Sequence, residues 1–356
     1  MSYKEKIANR IITIDTSILH CLKKMDSEKV KLLFVCDDEQ FIGIITIGDI
    51  QRAIIKNTNM NEKVSTILDK NKIYASKDES LESIKNKMFS LRAELMPIVD
   101  EQNNLVNVYF WEDVFGETKK EPLFRFNLPV VIMAGGLGTR LKPLTNVLPK
   151  PLIPINDKTF IEEIFERFNE HGCDTFYISV NYKAELIEYY LSKQNLPYNI
   201  QYIKEDKPMG TAGSLSLLKG QIKETLFVSN CDIIIDQDYS EVLKYHRENK
   251  NEITVVAALK HYPIPYGTIE TGEDGRLLEL TEKPEISFKI NTGIYILEPH
   301  LLNEIPENVM FHMTQLIENV NTRNGRIGVF PVSEKSWKDI GSWEEYSIGI
   351  QGINRG

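Results

Sequence analysis

The 356-residue chain has few cysteines and no surplus of positive charge. Its four cysteines lack C-x2-C spacing, so the sequence indicates neither a zinc site nor a disulfide framework. The net charge of −9 argues against nonspecific binding to nucleic acid. No apolar run is long enough to span a bilayer, and residues 1–10 lack the apolar segment of a signal peptide. We therefore expect a cytoplasmic protein with reduced thiols.

Composition otherwise fits a soluble globular protein, with 42% hydrophobic and 26% charged residues. The length exceeds that of most single domains and predicts two or more. Against the acidic background, residues 135–155 contain no Asp or Glu at all. They follow Val130–Met133, an apolar run that predicts a buried strand, and they contain three early glycines together with Arg140 and Lys150. A basic, glycine-rich loop after a strand favours a triphosphate site.

Two common glycine-loop motifs do not fit this window. A P-loop requires Gly-x4-Gly-Lys-Ser/Thr leading into a helix, and that spacing is missing. A dinucleotide fingerprint requires a third glycine where Leu141 stands. Prolines at positions 143, 149, 151 and 154 also oppose a regular helix, so we expect a long, stiff loop.

The window GGLGTRL-x-PLT-x4-PKPL resembles the opening motif of the sugar-1-phosphate nucleotidyltransferases. The alternative is an incidental surface loop. The resemblance implies that this loop binds the nucleotide and that Arg140 and Lys150 are catalytic. The positions implied to bind nucleotide here are Ala134, Gly135, Gly136, Gly138, Thr139, Arg140 and Lys150.

Apolar periodicity after the loop predicts alternating helices and strands. The predicted elements are a helix at 160–171, a strand at 175–180, a helix at 183–193 and a strand at 200–203. The order β-α-β-α-β predicts an α/β domain with a Rossmann-like, mixed but mainly parallel sheet. Ligands are then expected at the carboxyl ends of its strands.

Residues 205–214 (EDKPMGTAGS) follow the last of these strands and precede a helix predicted at 214–218. They resemble the base-binding E-x2-P-x-GTAG segment of guanylyl-transferring family members. The resemblance implies that Glu205, Gly210, Thr211 and Ala212 contact the base and that GTP is the donor, with UTP or dTTP as rivals. A carboxylate such as Glu205 is suited to accept from the N–H groups of guanine.

Asp232 follows a predicted core strand at 226–229, where a hard oxygen ligand facing a triphosphate is suited to Mg2+. The segment 337–343 (WKDIGSW) resembles the W-x-DIG-x-P element of the family, with Trp343 in place of proline. That resemblance implies Asp339 as a second metal ligand. Cys231 replaces a glycine common in the family, and no partner motif supports it as a nucleophile.

Three short loops, YGT, EKP and NTG, match the sugar-binding segment of the family in order. The implied contacts to sugar or sugar phosphate are Asn230, Gly267, Glu282, Lys283 and Asn291, and Lys283 is also implied to be catalytic. No hexapeptide repeat follows them in this sequence.

Residues 1–118 contain an internal repeat with an offset of 64 residues between Asp49 and Asp113. Each copy predicts a helix, then strand, turn, strand and helix. The pattern resembles a tandem CBS pair, which implies an adenosine nucleotide contacted by Thr46, Asp49 and Asp113. Phe110 replaces the expected hydroxyl residue in copy two. The alternative is a dimerisation or docking module without a ligand.

The sequence thus predicts a CBS pair at 1–118 (copies about 1–60 and 61–118), a linker at 119–127 and a nucleotidyltransferase domain at 128–356. The implied reaction joins an NTP and a sugar 1-phosphate with Mg2+ as cofactor. The combination most resembles the glucosamine-1-phosphate guanylyltransferases of bacterial legionaminic acid synthesis. Mannose 1-phosphate is the rival acceptor, and a non-catalytic nucleotide-sugar sensor is the alternative from another class. We also expect a homo-oligomer.

Overall fold

The repeat at the start of the sequence folds as two similar copies. The computed structural model describes residues 3–37, 40–69, 74–91, 93–116, 121–155, 157–341, 343 and 346. The chain divides into two units, Met1–Glu121 and Pro122–Gly356. This division falls inside the range 119–127 that the sequence assigns to a linker, of which residues 119 and 120 lie outside the described residues.

The first unit contains the repeat. Its elements are α1 (Tyr3–Ile7), β1 (Ile11–Ile12), α2 (Ile18–Glu28), β2 (Leu32–Asp37), β3 (Gln40–Thr46), α3 (Ile47–Ile55), β4 (Ala75–Ser76), α4 (Leu81–Leu91), β5 (Leu95–Val99), β6 (Leu105–Phe110) and α5 (Trp111–Phe115). The sheets β1-β2-β3 and β4-β5-β6 have the same parallel and antiparallel pairings. The predicted order of helix, strand, strand and helix is confirmed in both copies, and Ser17 caps α2 by accepting from the backbone N–H of His20.

The two copies of the repeat share one apolar core. Phe34 of copy one and Val108 of copy two are buried in the same cluster. Phe41 N also donates to the carbonyl of Asn103, 2.9 Å away, which links the two copies. Copy two also has a buried cluster of its own around Met88 and Met96, and the shared cluster joins the strands of both copies.

The second unit begins before the predicted boundary at residue 128, since Phe126 is buried and stacks on Phe227 at 5.4 Å. Its elements are β7 (Val130–Met133), α6 (Leu144–Val147), β8 (Pro154–Ile155), β9 (Lys158–Thr159), α7 (Phe160–Asn169), β10 (Thr175–Val180), α8 (Ala184–Lys193), β11 (Asn199–Lys204), β12 (Leu226–Asn230), β13 (Ile233–Ile235), α9 (Tyr239–Glu248), β14 (Ile253–Pro263), β15 (Thr268–Thr271), β16 (Leu277–Thr281), β17 (Glu285–Leu297), α10 (Met313–Thr322), β18 (Ile327–Ser333) and β19 (Trp337–Asp339).

A seven-stranded sheet in the order β11-β10-β7-β12-β17-β14-β18 forms the centre of this unit. The first four strands are parallel, β17 is antiparallel to both neighbours, and β18 is parallel to β14. The fully buried β7 lies between β10 and β12, so its carboxyl end opens at the middle of the sheet. The predicted mixed, mainly parallel α/β fold is confirmed.

Two local expectations differ from the structure. The helix predicted at 214–218 is a 3-10 helix, Gly213–Leu218, because the glycine-rich approach leaves room for only a short, tight turn. The proline-rich loop after β7 is not wholly irregular. It contains single turns, Thr139–Leu141, α6 and Lys150–Leu152, each ended within one turn near a proline.

Candidate active site

The glycine loop is shaped by a left-handed residue. Gly138 has φ +64°, and a Cβ atom there would lie 2.7 Å from Cγ2 of Thr145. The hydroxyl of Thr145 donates to the carbonyl of Gly138 at 2.9 Å, which folds the loop back on itself. In contrast, a Cβ atom on Gly136 would meet no heavy atom within 4 Å. Gly138 is therefore required for the shape of the loop, whereas Gly136 lies at its open face.

Charged side chains from three segments meet beyond the loop. The positions of Arg140 Nη2, Asp232 Oδ2 and Asp339 Oδ1 all lie 2.7 Å from the point that a Cβ atom on Gly341 would occupy. Lys150 Nζ pairs with Asp232, and the side chain of Lys150 is only 11% exposed, against 61% for Arg140. The buried Lys150 thus neutralises Asp232, while Arg140 extends toward solvent.

The pairing of two strands brings the carboxylates of Asp232 and Asp339 close together. β13 and β19 are antiparallel, with Ile233 opposite Asp339. The N–H of Ile340 donates to the carbonyl of Asp232 at 3.1 Å, and the N–H of Gly341 donates to Asp339 Oδ1 at 2.8 Å. Two carboxylates on separate segments at one point form the donor set that Mg2+ prefers. The residues present therefore fit a divalent cation.

The segment after Asp339 is attached to the basic loop. Trp343 Nε1 donates to the carbonyl of Lys142 at 2.5 Å, and the hydroxyl of Tyr346 donates to the carbonyl of Pro154 at 3.0 Å. Tyr346 is buried and its ring contacts that of Phe160 at 6.1 Å. Trp343, which replaces a proline of the family motif, thus ties the loop that carries Arg140 to the segment that carries Asp339.

Glu205 is almost fully buried and already has partners. Ser179 Oγ donates to Oε1 of Glu205, and the backbone N–H of Met209 donates to Oε2 at 2.9 Å. A Cβ atom on Gly135 would lie 2.9 Å from Glu205 Oε1, so the two loops pack closely. Glu205 therefore organises the base-binding segment internally. Its contact with guanine stays a prediction.

A second loop supports the GTAG segment, and sequence reasoning missed it. The N–H groups of Ala212 and Gly213 both donate to the carbonyl of Phe311 at 3.0 Å. Met313 N donates to Thr211 Oγ1 at 3.0 Å, which leaves the hydroxyl hydrogen of Thr211 available for another acceptor. A Cβ atom on Gly210 would lie 2.6 Å from the Phe311 carbonyl oxygen. Backbone groups make most of these contacts, and no side-chain motif reveals them.

The predicted sugar-binding residues form two groups. A Cβ atom on Gly293 would lie 2.5 Å from Asn230 Nδ2, so Asn230 packs directly on the NTG segment of β17 that begins with Asn291. Asn291 donates to the hydroxyl of Tyr295 at 2.8 Å. These residues lie beside the last pair of β12 with β17, Ser229 with Ile294, at the carboxyl end of β12.

Gly267, Glu282 and Lys283 form the other group, on an exposed part of the unit. Glu282 Oε2 would lie 2.9 Å from a Cβ atom on Gly267. Lys283 has φ +47° and is exposed in the turn that joins β16 to β17. The structure therefore brings Glu282 and Gly267 together and leaves the ammonium group of Lys283 at the surface.

Cys231 lies buried beside the predicted metal ligands. Burial, with a further contribution from the charge of Asp232, raises the pKa of the Cys231 thiol to about 12. A thiol with that pKa is protonated at neutral pH and is a poor nucleophile. The chemistry of the site therefore rests on its charged groups.

In the first unit, the implied nucleotide contacts are engaged within the repeat. Asp49 Oδ2 accepts from the N–H and the hydroxyl of Thr46 at 2.8 and 2.7 Å, and Oδ1 pairs with Arg52 at 2.5 Å. In copy two, Lys6 pairs with Asp113 at 2.9 Å and also lies 5.3 Å from the ring centre of Phe110. Thr46 and Asp49 form the capping box of α3, whereas the equivalent position in α5 has no side-chain cap.

Comparisons with known proteins identify the family of the chain. The nucleotidyl transferase family model matches residues 129–354, and the CBS domain model matches residues 9–56. The chain therefore belongs to the nucleotidyl transferase family and carries an N-terminal CBS domain. The family predicted from the sequence is confirmed. In the part of the chain that the structure describes, no helix is long and apolar enough to cross a membrane.

Two relatives and one solved structure illustrate the similarity. Mannose-1-phosphate guanylyltransferase catalytic subunit beta of Drosophila pseudoobscura pseudoobscura is 36% identical over 182 residues, 49% of this chain and 49% of that protein. The subunit of the same name from Danio rerio is 32% identical over 234 residues, 63% of this chain and 64% of that protein. The chain thus spans about half to under two thirds of the length of these relatives. The crystal structure of HddC from Yersinia pseudotuberculosis has a TM-score of 0.50 and 26% identity, covering 64% of this chain and 99% of that chain.

Proposed function

We propose that the protein transfers a nucleoside monophosphate, GMP from GTP, to a sugar 1-phosphate, giving an NDP-sugar and pyrophosphate. The observation that carries this proposal is the meeting of Arg140, Asp232 and Asp339 at one point beside the glycine loop. Cationic and carboxylate groups at the carboxyl end of a parallel strand suit phosphoryl-type transfer, which depends on positioning and charge stabilisation.

The reaction needs no covalent enzyme intermediate. A phosphate oxygen of the sugar 1-phosphate attacks the α-phosphorus of GTP, and the bond from the α-phosphorus to the bridging oxygen breaks. The electron pair leaves with pyrophosphate. Arg140 and Lys150 neutralise the phosphates of the donor and of the leaving group, and Lys283 neutralises the incoming phosphate. Asp232 and Asp339 would hold Mg2+, which when bound supplies Lewis-acid neutralisation of phosphate charge.

GTP is proposed as the donor from two lines of support. The GTAG segment is held in shape by the Phe311 loop and by Glu205. The relatives described above are named as guanylyltransferases. UTP and dTTP are the rival donors. A kcat/KM tenfold or more higher with either of them would exclude guanylyl transfer, but the protein would still be a sugar-1-phosphate nucleotidyltransferase.

Two sugar 1-phosphates are candidates for the acceptor, and they differ at C2 of the sugar. The predicted CBS pair, of which the CBS domain model matches residues 9–56, favours glucosamine 1-phosphate through its resemblance to the enzymes of legionaminic acid synthesis. The relatives favour mannose 1-phosphate. Glucosamine carries an ammonium group at C2, whereas mannose carries a hydroxyl. The exposed carboxylate of Glu282 beside Gly267 is suited to pair with an ammonium group.

The test is pyrophosphate release for the four NTPs, each with glucosamine, N-acetylglucosamine, mannose and glucose 1-phosphates. We expect GTP with glucosamine or mannose 1-phosphate to give the highest kcat/KM. Glu282→Gln then distinguishes the two acceptors. Loss of the carboxylate should weaken the binding of glucosamine 1-phosphate more than the binding of mannose 1-phosphate. Glu279→Gln, an exposed carboxylate nearby, is the control. GTP binding without pyrophosphate release from any pair would instead identify a nucleotide-sugar sensor.

For the first unit we propose at most one adenosine-nucleotide site, at Thr46 and Asp49 of copy one. A ribose placed against Phe110 in copy two would leave hydroxyls unpaired, at a cost of roughly 1–3 kcal/mol. Calorimetry of the full chain with AMP should show one site that Asp49→Ala removes. Two equivalent AMP sites would exclude this proposal, and no binding of AMP, ADP or ATP would leave the pair as an assembly module.

A further inference from the structure

The short helix α6 ends with backbone carbonyls that the sequence leaves without helical partners. In a longer helix, the carbonyls of Thr145 and Val147 would accept from the N–H groups of residues 149 and 151. Both of these positions are prolines, which have no N–H to donate. Within α6 only Thr145 is buried, and Val147 is 71% exposed. Packing therefore contributes little to holding α6, and its last carbonyls need donors from another segment.

These donors come from the turn that follows β10. Lys183 Nζ donates to the carbonyls of Asn146 and Val147 at 2.6 and 2.8 Å. The hydroxyl of Tyr182 donates to the carbonyl of Thr145 at 3.2 Å. Two adjacent side chains thus bind the last three carbonyls of α6, and Lys183 binds two of them.

The same turn contacts the segment predicted to bind the base. Asn181 Nδ2 donates to the carbonyl of Glu205 at 2.7 Å, and the N–H of Glu205 donates to the carbonyl of Val180 at 2.9 Å. We call residues 181–183 the bridging turn. Its side chains hold α6 on one side and the start of the base-binding segment on the other.

The position of α6 is in turn coupled to the glycine loop. The hydroxyl of Thr145 donates to the carbonyl of Gly138, and Arg140 lies in the next turn, Thr139–Leu141. A shift of α6 therefore moves the loop that carries Arg140. Small displacements of groups that bind or orient a substrate have large effects on binding and rate.

We propose that Lys183 is a positioning residue for the donor nucleotide. Its ammonium group holds α6, and through Thr145 the glycine loop, at the separation from the base-binding segment that one nucleotide spans. This inference rests on the proposed function, since it takes these two segments as the phosphate and base sites. Loss of the ammonium group weakens binding of the donor and leaves the KM for sugar 1-phosphate unchanged.

The backbone at Lys183 permits a substitution that changes little except the side chain. Lys183 has φ +53°, a left-handed conformation that glycine adopts more easily than lysine. Glycine is also accepted at the N-cap position that Lys183 occupies before α8, so the fold of Lys183→Gly should persist. Lys250 is an exposed lysine with φ +51°, and within the described residues its side chain forms no hydrogen bond or ion pair. Lys250→Gly is therefore the matched control.

The test combines calorimetry with a non-hydrolysable GTP analogue and Mg2+ and amide hydrogen exchange of the full chain without ligand. In Lys183→Gly we expect the Kd for the analogue to rise about tenfold. The amides of Asn146 and Leu148, which are bonded within α6, should exchange about tenfold faster. Lys183→Arg, which keeps a charged donor, should restore both properties, and Lys250→Gly should match the wild type in both.

Three results would overturn the proposal. They are a Lys183→Gly variant that binds the analogue as tightly as the wild type, unchanged exchange in α6, and an equal loss of binding in Lys250→Gly. A rise in the KM for sugar 1-phosphate as large as the rise for GTP would also contradict it, because that outcome indicates general damage.

A failure of the proposed guanylyl transfer gives a different result. The wild type would then bind UTP or dTTP with Mg2+ in preference to the GTP analogue. The ratio of the Kd values of Lys183→Gly and the wild type, measured with that nucleotide, would still be about tenfold. The reason is that Lys183 contacts backbone carbonyls of α6 and not the base.

Discussion

The donor and acceptor sides of the candidate active site are built differently. On the donor side, Asp232 and Glu205 are 6% and 8% exposed and both carboxylates have partners within the unit. On the acceptor side, Glu282 and Lys283 are exposed on a ribbon that leaves the central sheet. The difference indicates that the donor side is formed before a ligand arrives. We therefore propose that the acceptor side gains its final order when the sugar phosphate binds.

The largest effect is expected from the donor side. Asp339→Asn keeps the shape of the side chain and removes the charge that meets Arg140 and Asp232. We expect kcat to fall on the order of 10²-fold or more, as for loss of one electrostatic element of a transition-state site. Asp274→Asn, at a surface turn with φ +57°, is the control. If both Asp339→Asn and Asp232→Asn keep a kcat near that of the wild type at saturating Mg2+, these residues are not the metal ligands.

The glycine loop offers a test of donor-side rigidity. Gly138→Ala forces a left-handed alanine against Thr145 and should destabilise the second unit by about 1–3 kcal/mol. Gly136→Ala adds the same methyl group to open space and should leave stability nearly unchanged. Thermal unfolding of both variants measures the difference. Equal stabilities would show that the loop adapts and that the donor side is not rigid.

On the acceptor side, loss of a charge should change affinity and not stability. Lys283→Ala removes an exposed ammonium group proposed to meet the sugar phosphate, and hydrogen bonds to charged groups contribute about 1.5–3 kcal/mol. The KM for sugar 1-phosphate should therefore rise about tenfold or more, while the melting temperature stays constant. Steady-state kinetics with each substrate varied separates this outcome from a general loss of activity. A similar rise in the KM for GTP would contradict the assignment.

The smallest effect concerns the link between the basic loop and the Asp339 segment. Trp343→Phe removes the N–H that donates to the Lys142 carbonyl and should cost about 1 kcal/mol of stability. Trp337→Phe is a comparison in the same region, because among the described residues the N–H of Trp337 is buried without a hydrogen-bond partner. Trp337→Phe removes no such bond, so its cost should come only from the smaller ring at a position packed against the core. The prediction fails if Trp343→Phe leaves the free energy of unfolding unchanged.

Much of the fold could be predicted from the sequence because its signals are local. Apolar runs and helical periodicity locate β7, β10, α8 and β12 to within a residue or two. The repeat in the first unit is visible from matching residues at a fixed offset. Asp232 and Asp339 are found by motif, and the structure brings both to one point.

Other parts of the site have no local signal. The support of the GTAG segment by the Phe311 carbonyl uses backbone atoms almost a hundred residues away, which side-chain patterns do not report. The attachment of Trp343 to Lys142 likewise depends on tertiary packing. Residues 260–288 have the sequence pattern of ordinary strands, and only the sheet register shows that the neighbouring strands β12 and β18 end before them. These features arise from contacts between residues far apart in the chain, so local sequence patterns cannot predict them.

Binding to the free protein tests the difference between the two sides most directly. Calorimetry would compare a non-hydrolysable GTP analogue with Mg2+ against sugar 1-phosphate, each added alone. The account predicts that the GTP analogue binds the free protein with one site per chain, whereas sugar 1-phosphate binds measurably only once the analogue is present. Tight binding of sugar 1-phosphate alone, with the GTP analogue binding only afterwards, would contradict it.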